Sequence, residues 1–343
     1  MTNVTASSCF ANWVSIDPTS DAVATCASNP DTLVGRVVQD GRLLRVLTDQ
    51  GPFLVEPSRG TTREAMGDNL RPLCGDWVLI EPYQGSRSDL ARGRIRRVLP
   101  RRNVVERSRG AAGISQPMVA NVDEGWVVCG LDRDPRLRQL PRYLTILRAA
   151  QLDVLVVLNK IDLVPSTARA ESVVSTQVTD LESVAISAGT GIGLSALEPR
   201  LIPGRVIALF GASGAGKSTL VNALTGSSLA KTGNVRMSDA RGRHTTTGSS
   251  LLETPQGAWL VDTPGSRELG VVGCELGVSK TFPRIETYAR DCRFSDCRHE
   301  REPGCAVRTA IERGIISAQE FLEYLELHQE NGRANRTKRG KRG

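Results

Sequence analysis

The sequence is poor in aromatic residues and has no long apolar run. Phe, Trp and Tyr make up 4% of the 343 residues, which disfavours an RNA-binding protein that works mainly by stacking bases on aromatic side chains. No stretch of 18 apolar residues occurs, so a membrane span is not expected. No basic start followed by an apolar stretch is present either, so a secretory signal is not expected. We therefore expect a soluble, cytoplasmic protein that does not bind membranes.

The positive charge is concentrated at one end of the chain. The net charge is +7, and residues 332–343 contain six Lys or Arg and no acidic residue. The other 331 residues therefore carry a net charge of only +1. This basic tail is either a solubilising disordered end or a contact for nucleic-acid phosphates, and the tail by itself does not decide between them.

Three of the eight cysteines lie close together near the C-terminus. Cys292, Cys297 and Cys305 fall within fourteen residues, and His299 lies between them. Three thiolates and one imidazole form a closed ligand set for tetrahedral structural zinc. A disulfide framework is not expected in a cytosolic protein. The alternative is a group of free buried cysteines.

The first part of the chain predicts a small β-barrel. Residues 1–30 are expected to be a poorly ordered lead-in. In residues 31–112, five short strands separated by Gly- and Pro-bearing loops are typical of an OB-type fold. These strands are expected at 33–39, 42–48, 53–56, 76–81 and 93–99. Arg92, Arg94 and Arg96 lie on one face of the last strand, and the basic stretch continues through Arg97, Arg101 and Arg102. This face is either a nucleic-acid surface or a solvated strand face.

Two further domains are expected after the barrel. In residues 113–273, apolar strands alternate with helical segments, which predicts a parallel α/β sheet. Residues 274–331 combine the Cys/His cluster with two helical segments at 306–313 and 317–329, the second capped by Ser317. The prediction is a multidomain protein: an OB-type barrel (31–112), a central α/β domain (113–273), a mostly α-helical zinc-binding domain (274–331) and the basic tail (332–343).

The segment from Gly211 to Thr219 fits the phosphate-loop pattern G-x-x-x-x-G-K-[ST], between an apolar strand and a helix. Its glycines let backbone N–H groups turn inward toward phosphate oxygens, at the positive end of the helix dipole. Lys217 is expected to reach the β- and γ-phosphates as a catalytic group, and Ser218 to ligate Mg²⁺. The predicted nucleotide contacts are Gly211, Ser213, Gly214, Ala215, Gly216, Lys217, Ser218 and Thr219.

Two short segments indicate that the base is guanine. The tetrad Asn159-Lys160-Ile161-Asp162 follows an apolar strand. In GTPases, the Asp of such a tetrad accepts hydrogen bonds from the ring N–H and the exocyclic amine. Adenine would leave this carboxylate poorly paired. Ser187-Ala188, after another strand, can offer a backbone N–H to the guanine carbonyl.

The metal and γ-phosphate element is Asp262-Thr263-Pro264-Gly265, again after an apolar strand. Asp262 is expected to hold Mg²⁺, and the N–H of Gly265 to contact the γ-phosphate. A simple surface turn is the alternative. Ser266 follows, where many GTPases have Gln to orient the attacking water. The candidate for that role is His244, with Thr246 as a second hydroxyl near Mg²⁺. An ordinary exposed loop histidine is the alternative.

The order of these motifs is unusual. The tetrad (159–162) and Ser187-Ala188 precede the phosphate loop (211–218), and residues 262–265 come last. This order predicts a circularly permuted G domain, because a site depends on geometry and not on chain order.

With these motifs the chain resembles the ribosome small-subunit-dependent GTPase A family from about residue 33 to 330. The resemblance includes 74–77 (CGDW), 99–103 (LPRRN), 242–247 (GRHTTT), 262–265 (DTPG) and the Cys/His cluster. It implies a GTPase that acts in late maturation of the small (30S) ribosomal subunit. It also implies that the subunit stimulates hydrolysis, and that hydrolysis releases the protein. The expected partners are the 30S subunit and its rRNA, the expected cofactors GTP/GDP, Mg²⁺ and one structural Zn²⁺, and the expected state a monomer.

Two other functions are compatible with some of these features. An ATPase of the transporter type could carry the same phosphate loop, but the sequence contains no Leu-Ser-Gly-Gly-Gln signature, and residues 159–162 would be unexplained. A non-enzymatic RNA-binding protein could use its nucleotide site only for stability.

The guanine assignment gives a direct prediction. Asp162→Asn should lower GTP affinity by at least tenfold, because the amide cannot accept both hydrogen bonds from the guanine edge, each with a cost of about 1 kcal/mol or more. Competition binding with GTP and ATP measures the preference. An unchanged preference for GTP would remove the assignment of residues 159–162.

Overall fold

The computed structural model describes residues 32–40, 43–56, 71–83, 91–109, 114–132, 137–177, 181–226, 249–262, 270–271 and 273–339. The expected lead-in (1–30) lies outside these ranges, as do His244, Thr246 and Gly265.

The described residues form thirteen strands, seven α-helices and two 3₁₀ turns. The strands are β1 (Leu33–Gln39), β2 (Leu44–Thr48), β3 (Gly51–Glu56), β4 (Trp77–Tyr83), β5 (Ala91–Val98), β6 (Val104–Arg109), β7 (Ile114–Ala120), β8 (Glu124–Gly130), β9 (Asp153–Asn159), β10 (Glu182–Ile186), β11 (Val206–Phe210), β12 (Ser250–Glu253) and β13 (Trp259–Asp262). The helices are α1 (Leu140–Ala149), α2 (Ala168–Gln177), α3 (Lys217–Thr225), α4 (Glu275–Thr281), α5 (Pro283–Ala289), α6 (Ala306–Glu312) and α7 (Ala318–Arg339). The 3₁₀ turns are Ile161–Leu163 and Leu194–Arg200.

The first five strands close into the predicted barrel. Strand β1 pairs with both β2 and β4, β2 pairs with β3, β3 pairs in parallel with β5, and β5 returns to β4. Alternate residues point inward, so Val37, Val46, Val55, Ile80 and Ile95 fill an interior from which water is excluded. This closed five-stranded barrel confirms the OB-type prediction.

The basic face of the barrel differs from the prediction at one end. Arg94, Arg96 and Arg97 are exposed on β5, whereas Arg92 is half-buried. The expected continuation through Arg101 is wrong. Its side chain is only 9% exposed and forms an ion pair with Asp76 at 2.7 Å. The reason is that Asp76 is fully buried and needs a cation.

The central domain is built on six strands in the order β10-β9-β8-β11-β13-β12. The first five are parallel, and β12 forms an antiparallel edge. Helices α1 and α2 cover one face, and α3 with the Leu194–Arg200 turn covers the other. The carboxyl ends of the parallel strands therefore meet at one edge, the usual place for a ligand site in such sheets.

Strands β6 and β7 form a separate two-stranded hairpin between the barrel and the central sheet. The boundary predicted between residues 112 and 113 falls between these two paired strands. Neither strand is predicted from the sequence.

The residues of the 74–77 motif join the barrel to the central domain. Gly75 has φ +90°, and a Cβ at this position would lie 2.1 Å from the carbonyl oxygen of Ala120. Asn121 donates from Nδ2 to the carbonyl of Gly75 at 3.0 Å, and the buried Arg36 donates to the carbonyl of Asn121 at 2.9 Å. A second link is a strand contact, in which Gln39 of β1 is paired with Ser250 of β12. The amide of Asp40 also donates to Ser249 at 3.2 Å.

The C-terminal helices pack on α1. A Cβ at Gly277 of α4 would lie 1.9 Å from the carbonyl oxygen of Thr145 of α1, so only glycine allows this close helix crossing. Ser317 accepts a hydrogen bond from the amide of Glu320 at 3.0 Å, which confirms the predicted cap of the last helix. This helix, α7, extends to Arg339 and is therefore longer than predicted. Among the residues that the structure describes, none of the helices is long and apolar enough to cross a membrane.

The Arg101–Asp76 ion pair gives a stability prediction. Arg101→Ala removes the guanidinium from a fully buried carboxylate and should lower the free energy of unfolding by about 3 kcal/mol. The matched control is Arg96→Ala, because Arg96 pairs with Glu81 on the surface, where both side chains are more than a third exposed. This control should cost under about 1 kcal/mol. Urea titration of both variants measures the difference, and equal losses would contradict the role given to Asp76.

Candidate nucleotide site and metal centre

Asn159 connects three loops at the carboxyl edge of the sheet. Its side chain is 1% exposed. The amide nitrogen Nδ2 donates to the carbonyl of Ala215 in the phosphate loop at 2.9 Å. The oxygen Oδ1 accepts from the backbone N–H of Lys160 at 2.8 Å and from that of Ala188 at 2.9 Å. Three segments that are distant in sequence, around residues 160, 188 and 215, therefore meet in one place. The sequence motifs predicted that they form a single site.

Two glycines make this close assembly possible. A Cβ at Gly216 would lie 2.3 Å from Nδ2 of Asn159, and one at Gly211 would lie 2.2 Å from the carbonyl oxygen of Val128. Both have positive φ values, +96° and +141° respectively, which side-chain-bearing residues rarely adopt. Any larger residue at 211 or 216 would push the loop away from the sheet.

Lys217 begins α3 directly after the loop. Its ammonium group donates to the carbonyls of Gly211 and Ala212 at 2.7 and 3.1 Å. Ser218 and Thr219 follow in the first turn of α3 and are half-buried. The first backbone N–H groups of a helix have no partner within it, so this turn presents donors at the same edge as Lys217. Ser213 and Gly214 lie on the exposed part of the loop.

The base-reading residues lie on the neighbouring strands. Asp162 is exposed in the 3₁₀ turn that follows β9. Ser187 is buried, and its loop is closed by hydrogen bonds with Ile192 and Gly191, both at 2.9 Å. Ala188 is held by Asn159 as described above. The structure therefore places the tetrad and Ser187-Ala188 beside the phosphate loop.

Asp262 is the last residue of β13 and is paired in register with Leu209 of β11. Gly211 follows Leu209 by two residues, so the backbone of Asp262 lies next to the start of the phosphate loop. The structure therefore brings together the residues of the site that it describes. His244, Thr246 and Gly265 lie outside the described residues, so their predicted roles stay predictions.

Sequence reasoning missed one charged group at this edge. Asp132 lies two residues after the end of β8, and its carboxylate contacts the ammonium group of Lys160 at 2.8 Å. The available signal was its position, since polar residues just after a parallel strand collect at the ligand edge. Asp132 also lines a cavity of about 140 Å³ between the phosphate loop and the start of α1.

The four residues of the predicted zinc site form one cluster. The ligand atoms of Cys292, Cys297, His299 and Cys305 all lie within 4.8 Å of one another. Sγ of Cys292 is 3.9 Å from Sγ of Cys305, and Nδ1 of His299 is 3.6 and 3.4 Å from these two sulfur atoms. A tetrahedron with Zn–S bonds of about 2.3 Å has edges of about 3.8 Å. The separations fit that geometry.

The pKa shifts in the cluster reflect four ligand groups that are packed close together. Burial lowers the pKa of His299, so its imidazole is neutral near pH 7, as a metal ligand must be. Burial opposes ionisation of Cys292, but backbone N–H groups of Val307 and Ala306 outweigh it and lower the pKa of this thiol. Burial and the neighbouring thiols raise the pKa of Cys297 to about 11, because several thiolates repel one another unless a cation lies between them. The cluster is compatible with zinc.

A comparison with known proteins decides the family. The model of the RsgA GTPase family matches residues 98–272. A protein of Opitutus terrae named "Small ribosomal subunit biogenesis GTPase RsgA" is 44% identical over 271 residues, which are 77% of this chain and 74% of that protein. The chain belongs to the RsgA GTPase family.

Other members and solved structures agree with this assignment. An RsgA of Xylella fastidiosa (strain M23) is 39% identical over 324 residues, 93% of this chain and 94% of that protein. The crystal structure of YjeQ from Thermotoga maritima superposes with a TM-score of 0.61 at 27% identity, over 87% of this chain and 98% of that chain. YloQ, described as a circularly permuted GTPase, has a TM-score of 0.59 at 20% identity, over 87% and 94% respectively, and supports the fold.

Membership of the RsgA GTPase family confirms the predicted enzyme class. The protein hydrolyses GTP and has a circularly permuted GTPase fold. The family implies the use of guanine nucleotide and Mg²⁺. The two alternatives, a transporter-type ATPase and a non-enzymatic RNA-binding protein, are therefore wrong.

The Cys/His cluster gives a prediction for metal content. Cys305→Ser should release one equivalent of zinc and lower the melting temperature by more than about 5 °C, because the metal would connect residues 292–299 with Cys305 at the start of α6. Elemental analysis and thermal melting measure the two effects. Cys274→Ser is the matched control, since Cys274 lies outside the cluster, and should keep the zinc. Protein that is purified without chelators and contains no zinc would contradict the assignment.

Proposed function

We propose that this chain is a GTPase of small ribosomal subunit biogenesis. In this proposal the protein binds the small (30S) subunit late in its maturation, the subunit stimulates GTP hydrolysis, and hydrolysis releases the protein. The observation that carries the proposal is the junction at Asn159, which joins the base-reading segments to the phosphate loop. The relatives support the rest, because they are named small ribosomal subunit biogenesis GTPases.

Each segment of the site has a proposed role in nucleotide binding. The N–H groups of residues 211–219 hold the phosphates, and Lys217 exchanges its carbonyl partners for the β- and γ-phosphates. Asp162 accepts hydrogen bonds from guanine, Lys160 lies along the base, and Ala188 offers its N–H to the guanine carbonyl. Ser218 and Asp262 would hold Mg²⁺, which would supply positive charge beside the phosphates.

Hydrolysis needs a group that orients the attacking water. We assign this to His244, with Thr246 near the metal and the N–H of Gly265 at the γ-phosphate. Ser266 cannot replace the glutamine that many GTPases have at that position, because its side chain is too short to align a water over the γ-phosphate. We therefore expect slow hydrolysis by the protein alone, and stimulation by the subunit.

The C-terminal domain is connected to the segment that follows Asp262. Glu330 of α7 accepts a hydrogen bond from the N–H of Val271 at 3.2 Å, and Asn331 accepts from Gly273 and Cys274 at 2.7 and 3.1 Å. The chain enters this domain directly after residues 262–265. Loss of the γ-phosphate contact at Gly265 can therefore change the position of the C-terminal domain and weaken binding to the subunit.

The rRNA is proposed to contact basic surfaces outside the nucleotide site. Arg94, Arg96 and Arg97 are exposed on the barrel, and the basic tail (332–343) includes the last residues of α7, which ends at Arg339. Contacts of this kind go mainly to phosphates and are sensitive to salt. We also propose that the Cys/His cluster holds one structural Zn²⁺, that the protein is a cytoplasmic monomer, and that the domains follow the bounds given above.

A rate measurement tests the proposed function. Purified 30S subunits should raise the rate of GTP hydrolysis by at least tenfold, since a partner that completes a GTPase site acts on this scale or above. Equimolar 50S subunits are the control for general effects of ribosomal RNA, and Lys217→Ala should hydrolyse little GTP with either particle. A rate that does not change with 30S subunits would remove the ribosomal part of the proposal.

A further inference from the structure

Asp132 reaches the nucleotide edge from a strand that carries none of the recognised motifs. Strand β8 ends at Gly130, and the backbone N–H of Leu131 donates to the carbonyl of Asn159 at 3.0 Å. This bond fixes the segment after β8 beside the base-reading tetrad. Asp132 is the next residue, so its position is set by a direct link to the tetrad and not by a long loop.

The carboxylate of Asp132 binds the lysine of the tetrad. Oδ2 of Asp132 lies 2.8 Å from Nζ of Lys160, and the two side chains are 22% and 23% exposed. Gly130 makes room for this contact, because a Cβ there would lie 3.0 Å from Oδ1 of Asp132 and 3.1 Å from Cα of Ala215. Gly130 therefore lies between the carboxylate of Asp132 and the backbone of Ala215 in the phosphate loop.

Lys160 is held at three points along its length. Its N–H is bonded to Asn159, and its backbone has a φ of +70°, which is unusual for a residue with a side chain. Its Cε lies 4.0 Å from the position that a Cβ on Gly216 would take, so the stem runs along the phosphate loop. Its ammonium group is held by Asp132. The direction of the whole side chain is therefore fixed.

We propose that Asp132 is a positioning residue for guanine nucleotides. It holds the ammonium group of Lys160, whose Cε lies near Gly216 of the phosphate loop, so that the side chain is already ordered when the base arrives. A lysine loses much rotational freedom when it is ordered, and a site that is ordered beforehand does not incur this loss on binding. This inference rests on the proposed role of Lys160 beside the base.

A surface ion pair without a positioning role would not affect the affinity for nucleotides. Partly exposed pairs contribute little to folding, so removal of Asp132 should hardly change stability in either case. A positioning role predicts a loss of nucleotide affinity that depends on the presence of Lys160. A positioning role also predicts the same loss of affinity for GTP, GDP and IDP, which share the purine ring and the sugar. The reason is that a lysine stem along the base does not contact the exocyclic amine, the group that IDP lacks.

A double-mutant cycle tests the proposal. Fluorescent-nucleotide competition on the full chain measures the dissociation constants of GTP, GDP and IDP for Asp132→Asn, Lys160→Gln and the double variant. Asp132→Asn should weaken all three nucleotides by the same factor, about three- to tenfold. It should leave kcat at saturating GTP unchanged, and Asp132→Glu should recover part of the affinity. In the Lys160→Gln background, Asp132→Asn should have no further effect.

The control is Glu81→Gln, which removes a surface ion pair with Arg96 on the barrel and should leave all three dissociation constants unchanged. Unchanged affinity in Asp132→Asn or in Lys160→Gln, or effects that multiply in the double variant, would overturn the inference. A wild-type chain that does not prefer guanine nucleotides would instead overturn the nucleotide roles proposed above. The two failures are therefore distinguishable.

Discussion

The nucleotide edge depends on one buried amide, the side chain of Asn159. Its two atoms satisfy groups in three loops: the carbonyl of Ala215 and the N–H groups of Lys160 and Ala188. Each of these buried groups would cost about 1–3 kcal/mol if it were left without a hydrogen bond. Any other arrangement of the three loops would therefore be less stable. Gly216 belongs to the same arrangement, because only a residue without a side chain fits against Nδ2. A permuted chain order does not disturb it, since these contacts depend on where the strand ends lie.

Much of the fold was predictable because it follows local rules. The alternation of apolar residues predicted the barrel strands to within a few residues, and the bounds of β1 agree with the prediction. The Ser317 cap was also predictable, because an N-cap is a contact between residues three apart. The site was predictable to the same extent. Each motif follows a strand, and the carboxyl ends of parallel strands meet at one edge.

The features that were missed depend on contacts between distant residues. Arg101 looked like one more exposed arginine, yet it neutralises Asp76, 25 residues away. Arg36 donates a hydrogen bond to the carbonyl of Asn121, 85 residues away, and no local sequence pattern predicts this pair. Asp132 has no motif of its own, and its contact with Lys160 requires β8 and β9 to be neighbours in the sheet. The hairpin of β6 and β7 was also missed, although its pairing is local, and the predicted domain boundary between residues 112 and 113 falls between its two strands.

The strand contact between β1 and β12 has a mechanical consequence for the stretch that contains His244. This stretch, residues 227–248, leaves the central domain at the end of α3 and returns at Ser249, whose carbonyl is bonded to the barrel through Asp40. Its first end therefore follows the phosphate-loop helix, and its second end leads into β12, which pairs with β13 of the central sheet and contacts β1 of the barrel. Any rotation of the barrel against the central sheet would strain the contact between Gln39 and Ser250. A force applied to the barrel therefore acts directly on β12, the strand with which the chain re-enters the central sheet.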